Sequence, residues 1–188
     1  MLKVNSGEEF LEKIHPKSER NGAAMRAYPI GVFKSESEVV EKATIQAEVT
    51  HQTENAVNGA QAIALISHFF LHKKGKAHQL VDYLAEIQGV HWKNDWEGKV
   101  GIDAIQTVEA VLTVLTNEQN LKEMLRKSVS FGGDVDTVAS LVLALASLSD
   151  EFQNNLAACF FDELENGIYG RDYIVELDKK LMNYATNL

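Results

Sequence analysis

Residues 130–147 read SFGGDVDTVASLVLALAS. Gly132 and Gly133 let the backbone turn sharply and come close to another group. After them, small and apolar side chains follow one another without the alternation of a strand, and the spacing predicts a helix over 136–149. A helix this apolar belongs inside a bundle. Two aspartates, Asp134 and Asp136, stand at its start. One carboxylate can cap a helix; a second, one residue away, resists burial unless a cation sits between them. Asp134, Asp136 and Thr137 are all hard oxygen donors, with no His or Cys among them, a set that suits Mg²⁺, Mn²⁺ or Ca²⁺ rather than zinc. The positive end of the helix dipole opposes a cation there. From spacing alone both readings stand, and a capping role is the commoner use of Asp at a helix start.

Outward from this stretch the chain keeps the helical pattern. Both prolines, Pro16 and Pro29, fall in the first thirty residues, which predicts an irregular part over 1–34 and a helical body over 35–188. Ser35 and Glu38 read as a capping box opening a helix to about His51. Residues 54–75, ENAVNGAQAIALISHFFLHKKG, continue as a long apolar helix closed by lysines and Gly75. Further helices are predicted over 76–88, 103–115, 117–129, 151–165 and 172–187, with 91–101 as a loop. The reading is one all-α domain over 1–188, a compact multi-helix bundle.

The chain has 188 residues and a formal charge of −9. A chain of this length buries roughly 70% of its unfolded surface, enough for a core without disulfides. The one cysteine, Cys159 in LAACFF, reads as a core thiol, and its solitude suits a reducing compartment. The densest basic stretch is LHKKGKAH at 71–78, too little for a phosphate backbone, so nucleic acid is not an expected partner. No apolar run reaches the ~20 residues that span a bilayer, and the start has no signal-peptide core. The expected location is the cytoplasm. His68 and His72 share a helix face but lack a third zinc ligand, and read as solvated residues near a helix C-terminus. His51 reads as a helix-terminal residue. Asn21-Gly22, followed by small residues, can present N–H groups to an anion or a sugar; an ordinary turn towards Pro29 fits as well.

Three segments occur in a telling order: NGAAMRAYPIGVF (21–33), THQTENAVNGAQAIA (50–64), and VGIDAIQTVEAVLTVL (100–115) followed by SFGGDVDTVASLVLALA (130–146). Together with the tail ELENGIYGRDYIVELDKKL (163–181), they resemble the ADP-ribosylglycohydrolase family, which includes the dinitrogenase reductase-activating glycohydrolases. The resemblance covers nearly the whole chain. It implies an all-α fold, two Mg²⁺ (or Mn²⁺) ions, and removal of ADP-ribose from modified side chains or related conjugates. Carried over residue by residue, it makes Asp134, Asp136 and Thr137 metal ligands, with the two aspartates at the chemistry. It makes Asn21 and Gly22 part of the loop that holds ADP-ribose, with Met25 beside it, and brings His51 near the ribose or phosphates. The expected partner is ADP-ribose or an ADP-ribosylated protein.

Some family features are missing. The usual Gly-Asp-rich first helix and Thr-Asp-Asp tripeptide have no counterpart, and no Thr-Asp dipeptide occurs anywhere. Arg20 stands where glycine is usual, and Val135 where threonine is usual. The resemblance therefore implies an N-terminally shortened bundle with an incomplete two-ion site. The alternative expectation is a member that binds ADP-ribose or a partner protein without hydrolysis. Missing first helices would also expose apolar bundle surface, to be covered by a homo-oligomer or a second chain.

Overall fold

A computed structural model of the protein describes residues 5–13 and 16–187. Among them it is helical, with four isolated backbone bridges and no strand. The helices are α1 (Gly7–Lys13), α2 (Gly22–Ala27), α3 (Glu36–Glu48), α4 (Glu54–Leu71), α5 (Leu80–Gln88), α6 (Ala104–Asn117), α7 (Leu121–Ser130), α8 (Val135–Ala146), α9 (Cys159–Asp162) and α10 (Arg171–Asn187), with 3₁₀ turns at Tyr28–Val32 and Ala77–Gln79. None is long and apolar enough to cross a membrane.

The starts are set by side chains that satisfy free N–H groups. Ser35 Oγ accepts from Glu38 N–H, Asp103 Oδ1 from Ile105 and Gln106 N–H, and Asn120 Oδ1 from Glu123 N–H. α5 stops at Gly89, whose φ of 68° is the usual left-handed terminator.

α4 is the axis of the fold. It packs on α2, α3, the 28–32 turn, α5, α6 and α8, and twelve of its residues are buried. Its small side chains make that possible. A Cβ at Gly59 would come within 3.0 Å of Ala104 Cβ on α6, and one at Gly31 would lie 2.5 Å from Ser67 Oγ and from the His68 backbone nitrogen. The 28–32 turn therefore rests directly on α4. Around this axis Leu65, Leu80, Leu84, Leu112, Leu115 and Leu145 are fully or almost fully buried, each worth about 1.5–3 kcal/mol.

Several expectations are corrected. The stretch over 1–34 is not simply irregular: α1, α2 and the 28–32 turn lie within it, and Asn-Gly opens α2 instead of forming a free loop. The helix predicted to reach His51 ends at Glu48, because the chain turns to place Gln52 N–H on Pro16 C=O and His51 beside Lys17. Residues 151–165 are mostly irregular, with only Cys159–Asp162 helical. Gln153 is drawn into backbone pairing with Gln119 and Leu121, and Asn155 Oδ1 accepts from Lys122 N–H. Those bonds compete with the helix. Cys159 is exposed, not core. His68 is fully buried and His72 half-buried, so neither is a solvated terminal residue.

Candidate functional site

The two glycines before Asp134 join two loops. Gly132 and Gly133 have φ of 70° and 86°, left-handed backbone that side chains disfavour. Through them Val100 N–H donates to Gly132 C=O (3.1 Å) and Asp134 N–H donates to Val100 C=O (3.0 Å). A Cβ on Gly133 would fall 1.9 Å from the Val100 carbonyl oxygen. The loop before α6 and the start of α8 are thus clamped together.

Asp134 occupies the N-cap position of α8 but does not cap it. Its Oδ2 instead accepts from Asn21 Nδ2 at 2.5 Å. Asn21 is buried, donates a second bond to Thr107 Oγ1 on α6 (2.9 Å), and is held by its own N–H on Ile102 C=O. Asn21, Thr107 and Asp134 therefore join α2, α6 and α8 at one end of the bundle. Thr137, one turn into α8, is buried and directs its hydroxyl at Met25 Sδ on α2, 3.7 Å away. Asp136 is exposed, and its carboxylate makes no hydrogen bond among the described residues.

His51 belongs to a second group on the other side of α2. A Cβ on Gly22 would lie 3.3 Å from His51 Cε1 and 3.4 Å from Nε2, so glycine leaves the imidazole room at the helix start. Thr50 Oγ1 accepts from Arg26 Nη2 (2.8 Å) and lies 2.7 Å from His51 Nδ1. With Thr50 donating to Nδ1, the neutral ring carries its proton on Nε2, towards Gly22. Partial burial, and then the Arg26 charge, hold the His51 pKa below the usual imidazole value, so the ring is neutral at pH 7.

Asn21, Met25, Asp134 and Thr137 come together directly, Gly22 and His51 form a neighbouring pair, and Asp136 sits outside at the α8 start. Thr107 was not anticipated. Its signal, a threonine within IQTVEA, looks like any helical residue until Asn21 is placed against it. A groove of about 560 Å³, lined by Ala77, His78, Asn117, Gln119 and Gln153 among others, includes none of these residues.

A profile of the ADP-ribosylglycohydrolase family matches residues 3–187, nearly the entire chain. The chain belongs to the ADP-ribosylglycohydrolase family. No curated protein matches it. Family membership accounts for the all-helical fold and makes this a protein of a hydrolase family that acts on ADP-ribosylated substrates. The donor set can be weighed against the metal that the family implies. Two carboxylates and a hydroxyl within four residues, one carboxylate unpartnered and open to solvent, are hard donors of the kind a divalent cation takes with water. No group of three His, Cys, Asp or Glu side chains converges among the described residues. The chemistry of these donors suits a hydrated divalent ion, and no two-ion cluster is assembled among the described residues.

Proposed function

We propose that this ADP-ribosylglycohydrolase family member hydrolyses the bond between ADP-ribose and a modified protein side chain or a related conjugate, with Mg²⁺ or Mn²⁺ as cofactor. The observation that carries the reading is the use of the two aspartates. Asp134 turns away from its capping duty to Asn21, and Asp136 is left unpartnered and exposed in the same motif. A helix start that needed only a cap would use neither in this way.

In this reading Asp134, Asp136 and Thr137 hold the ion. A divalent cation bound there supplies electrophilic polarisation of a ribose hydroxyl and of water. Asn21 orients Asp134, since its amide fixes one carboxylate oxygen and leaves the other available. Gly22 and the first N–H groups of α2 face the phosphates or ribose, with His51 Nε2–H as a further donor and Met25 as an apolar wall. A neutral His51 donates a hydrogen bond there without adding charge. A chain with a single exposed thiol suits a reducing compartment, and we place the enzyme in the cytoplasm.

The test is release of ADP-ribose from an ADP-ribosylated protein with Mg²⁺ or Mn²⁺ present. Asp136→Ala should lower turnover at least ~100-fold, the scale of losing one electrostatic stabiliser, with a stability loss of no more than the ~0.3–1 kcal/mol of its interaction with the helix dipole, because its carboxylate has no hydrogen-bond partner to lose among the described residues. Binding of ADP-ribose by calorimetry with no turnover under any metal would refute hydrolysis and leave a binding role.

A further inference from the structure

Exposed apolar side chains are unevenly distributed. Among the described residues fifteen large ones are at least 45% exposed, and ten of these lie between Phe160 and Tyr184. This arm, the irregular segment after α8 with α9 and α10, is exposed along most of its length. α10 rests on the body through Leu181 and Met182, which face Tyr28, Pro29 and Leu71 across a narrow seam. Its other apolar residues look outward. Ile174 and Leu177 continue the Leu181 stripe towards the start of α10. Ile174 and Leu177 are 60% and 53% exposed.

A complementary surface lies on the same molecule. α7, α8 and the arm enclose a groove of about 290 Å³ lined by Leu121, Leu125, Leu143, Leu156, Phe160 and Leu164. Lys122 and Arg126 of α7 line an adjoining pocket that shares Leu125, Leu156 and Phe160 with it. α7 is basic, whereas from Asp150 to Asp178 the arm holds eight acidic residues and one basic, Arg171.

We propose that the arm is a dimerisation element whose partner is a second copy of this chain. The Ile174–Leu177 face of one copy seats on the Leu125–Leu143–Phe160 groove of the other, with Asp172 and Glu176 against Lys122 and Arg126. Both halves of the contact are on one chain, so a twofold axis satisfies both at once and closes the assembly. Ile174 and Leu177, with Phe160 and Leu164 at the groove, supply the exposed apolar centre that an interface of standard size, ~800 Å² per partner, is built around. The inference does not rest on the hydrolase reading.

Sedimentation velocity on the full chain, across micromolar concentrations, tests it. The expected result is a dimer whose dissociation constant rises at least about 30-fold in Ile174→Glu/Leu177→Glu, the loss of one interface hot spot. Both residues are exposed, and unchanged helical circular dichroism will show that the variant is folded. Lys122→Glu/Arg126→Glu should weaken the dimer, and adding Asp172→Lys/Glu176→Lys should restore it. A monomer at every concentration overturns the proposal and leaves the arm to a different partner. A dimer indifferent to the Ile174 and Leu177 changes overturns it too, and failure of the charge reversal to restore association refutes the seating on α7.

Discussion

Gly132 and Gly133 stand side by side with nearly the same backbone, yet they do different things. A side chain on Gly132 meets nothing within 4 Å, whereas one on Gly133 strikes the Val100 carbonyl. Gly132→Ala should cost only the left-handed backbone strain, ~1–2 kcal/mol. Gly133→Ala adds a clash that must break the Val100 bridge, and should cost several kcal/mol, of the order of a core disruption. Urea midpoints of the two variants check this; equal losses would mean that the bridge is unimportant. The Asn21–Asp134 bond is equally testable. A double-mutant cycle of Asn21→Ala and Asp134→Ala should give a coupling of about 1–3 kcal/mol, as for a charged hydrogen bond. At this scale the sequence showed which residues matter but not what they touch. Asn21 and Asp134 are 113 positions apart, and no periodicity reports such a meeting. Thr107 stayed hidden for the same reason, while Asp134 read equally well as a cap because its neighbours alone do not say where its carboxylate points.

Elements were more legible, because a helix announces itself through local chemistry. The cap at Ser35, the apolar stripe of α6 and the lysines after α4 all mark helices where the chain has them. Residues 151–165 failed because their local pattern is helical while their partners are not local: Gln119 and Leu121 take the backbone of Gln153. Helix contacts at α4 follow the same logic. Gly59 faces Ala104 so closely that even a methyl group would sit 3.0 Å from its Cβ. Gly59→Leu should force α4 and α6 apart and cost ~1–3 kcal/mol by overpacking, with Gly59→Ala much milder. Thermal melts of the two variants, compared with the parent, separate close packing from a mere helix-propensity effect, which would make Gly59→Ala stabilising.

Over the whole molecule, buried titratable groups tie stability to pH. His68 is fully buried on α4. Its Nδ1 lies 3.2 Å from Gly31 C=O, and its Nε2 has no hydrogen-bond partner. Burial first, and then the His72 ring 4.2 Å away and the Lys74 charge, lower its pKa below 6.5; the Gly31 bond and the Glu36 carboxylate, 3.7 Å from Nε2, oppose that less strongly. His51 is shifted the same way. The folded chain therefore binds these protons less tightly than the unfolded chain, whose imidazoles titrate near the ordinary value. Stability from this source is complete above about pH 6.5 and falls as the pH drops below it, because the unfolded state then takes up protons that the folded state refuses. The urea midpoint should be lower at about pH 5 than at about pH 8, the interval in which histidine titrates. His68→Gln should flatten the change by removing the largest buried imidazole contribution, even though the variant is less stable at both values. A His68→Gln protein with the parent's full pH dependence would show that protonation of the α4 core is not what acid attacks, and would move the origin to His51 or to the carboxylates.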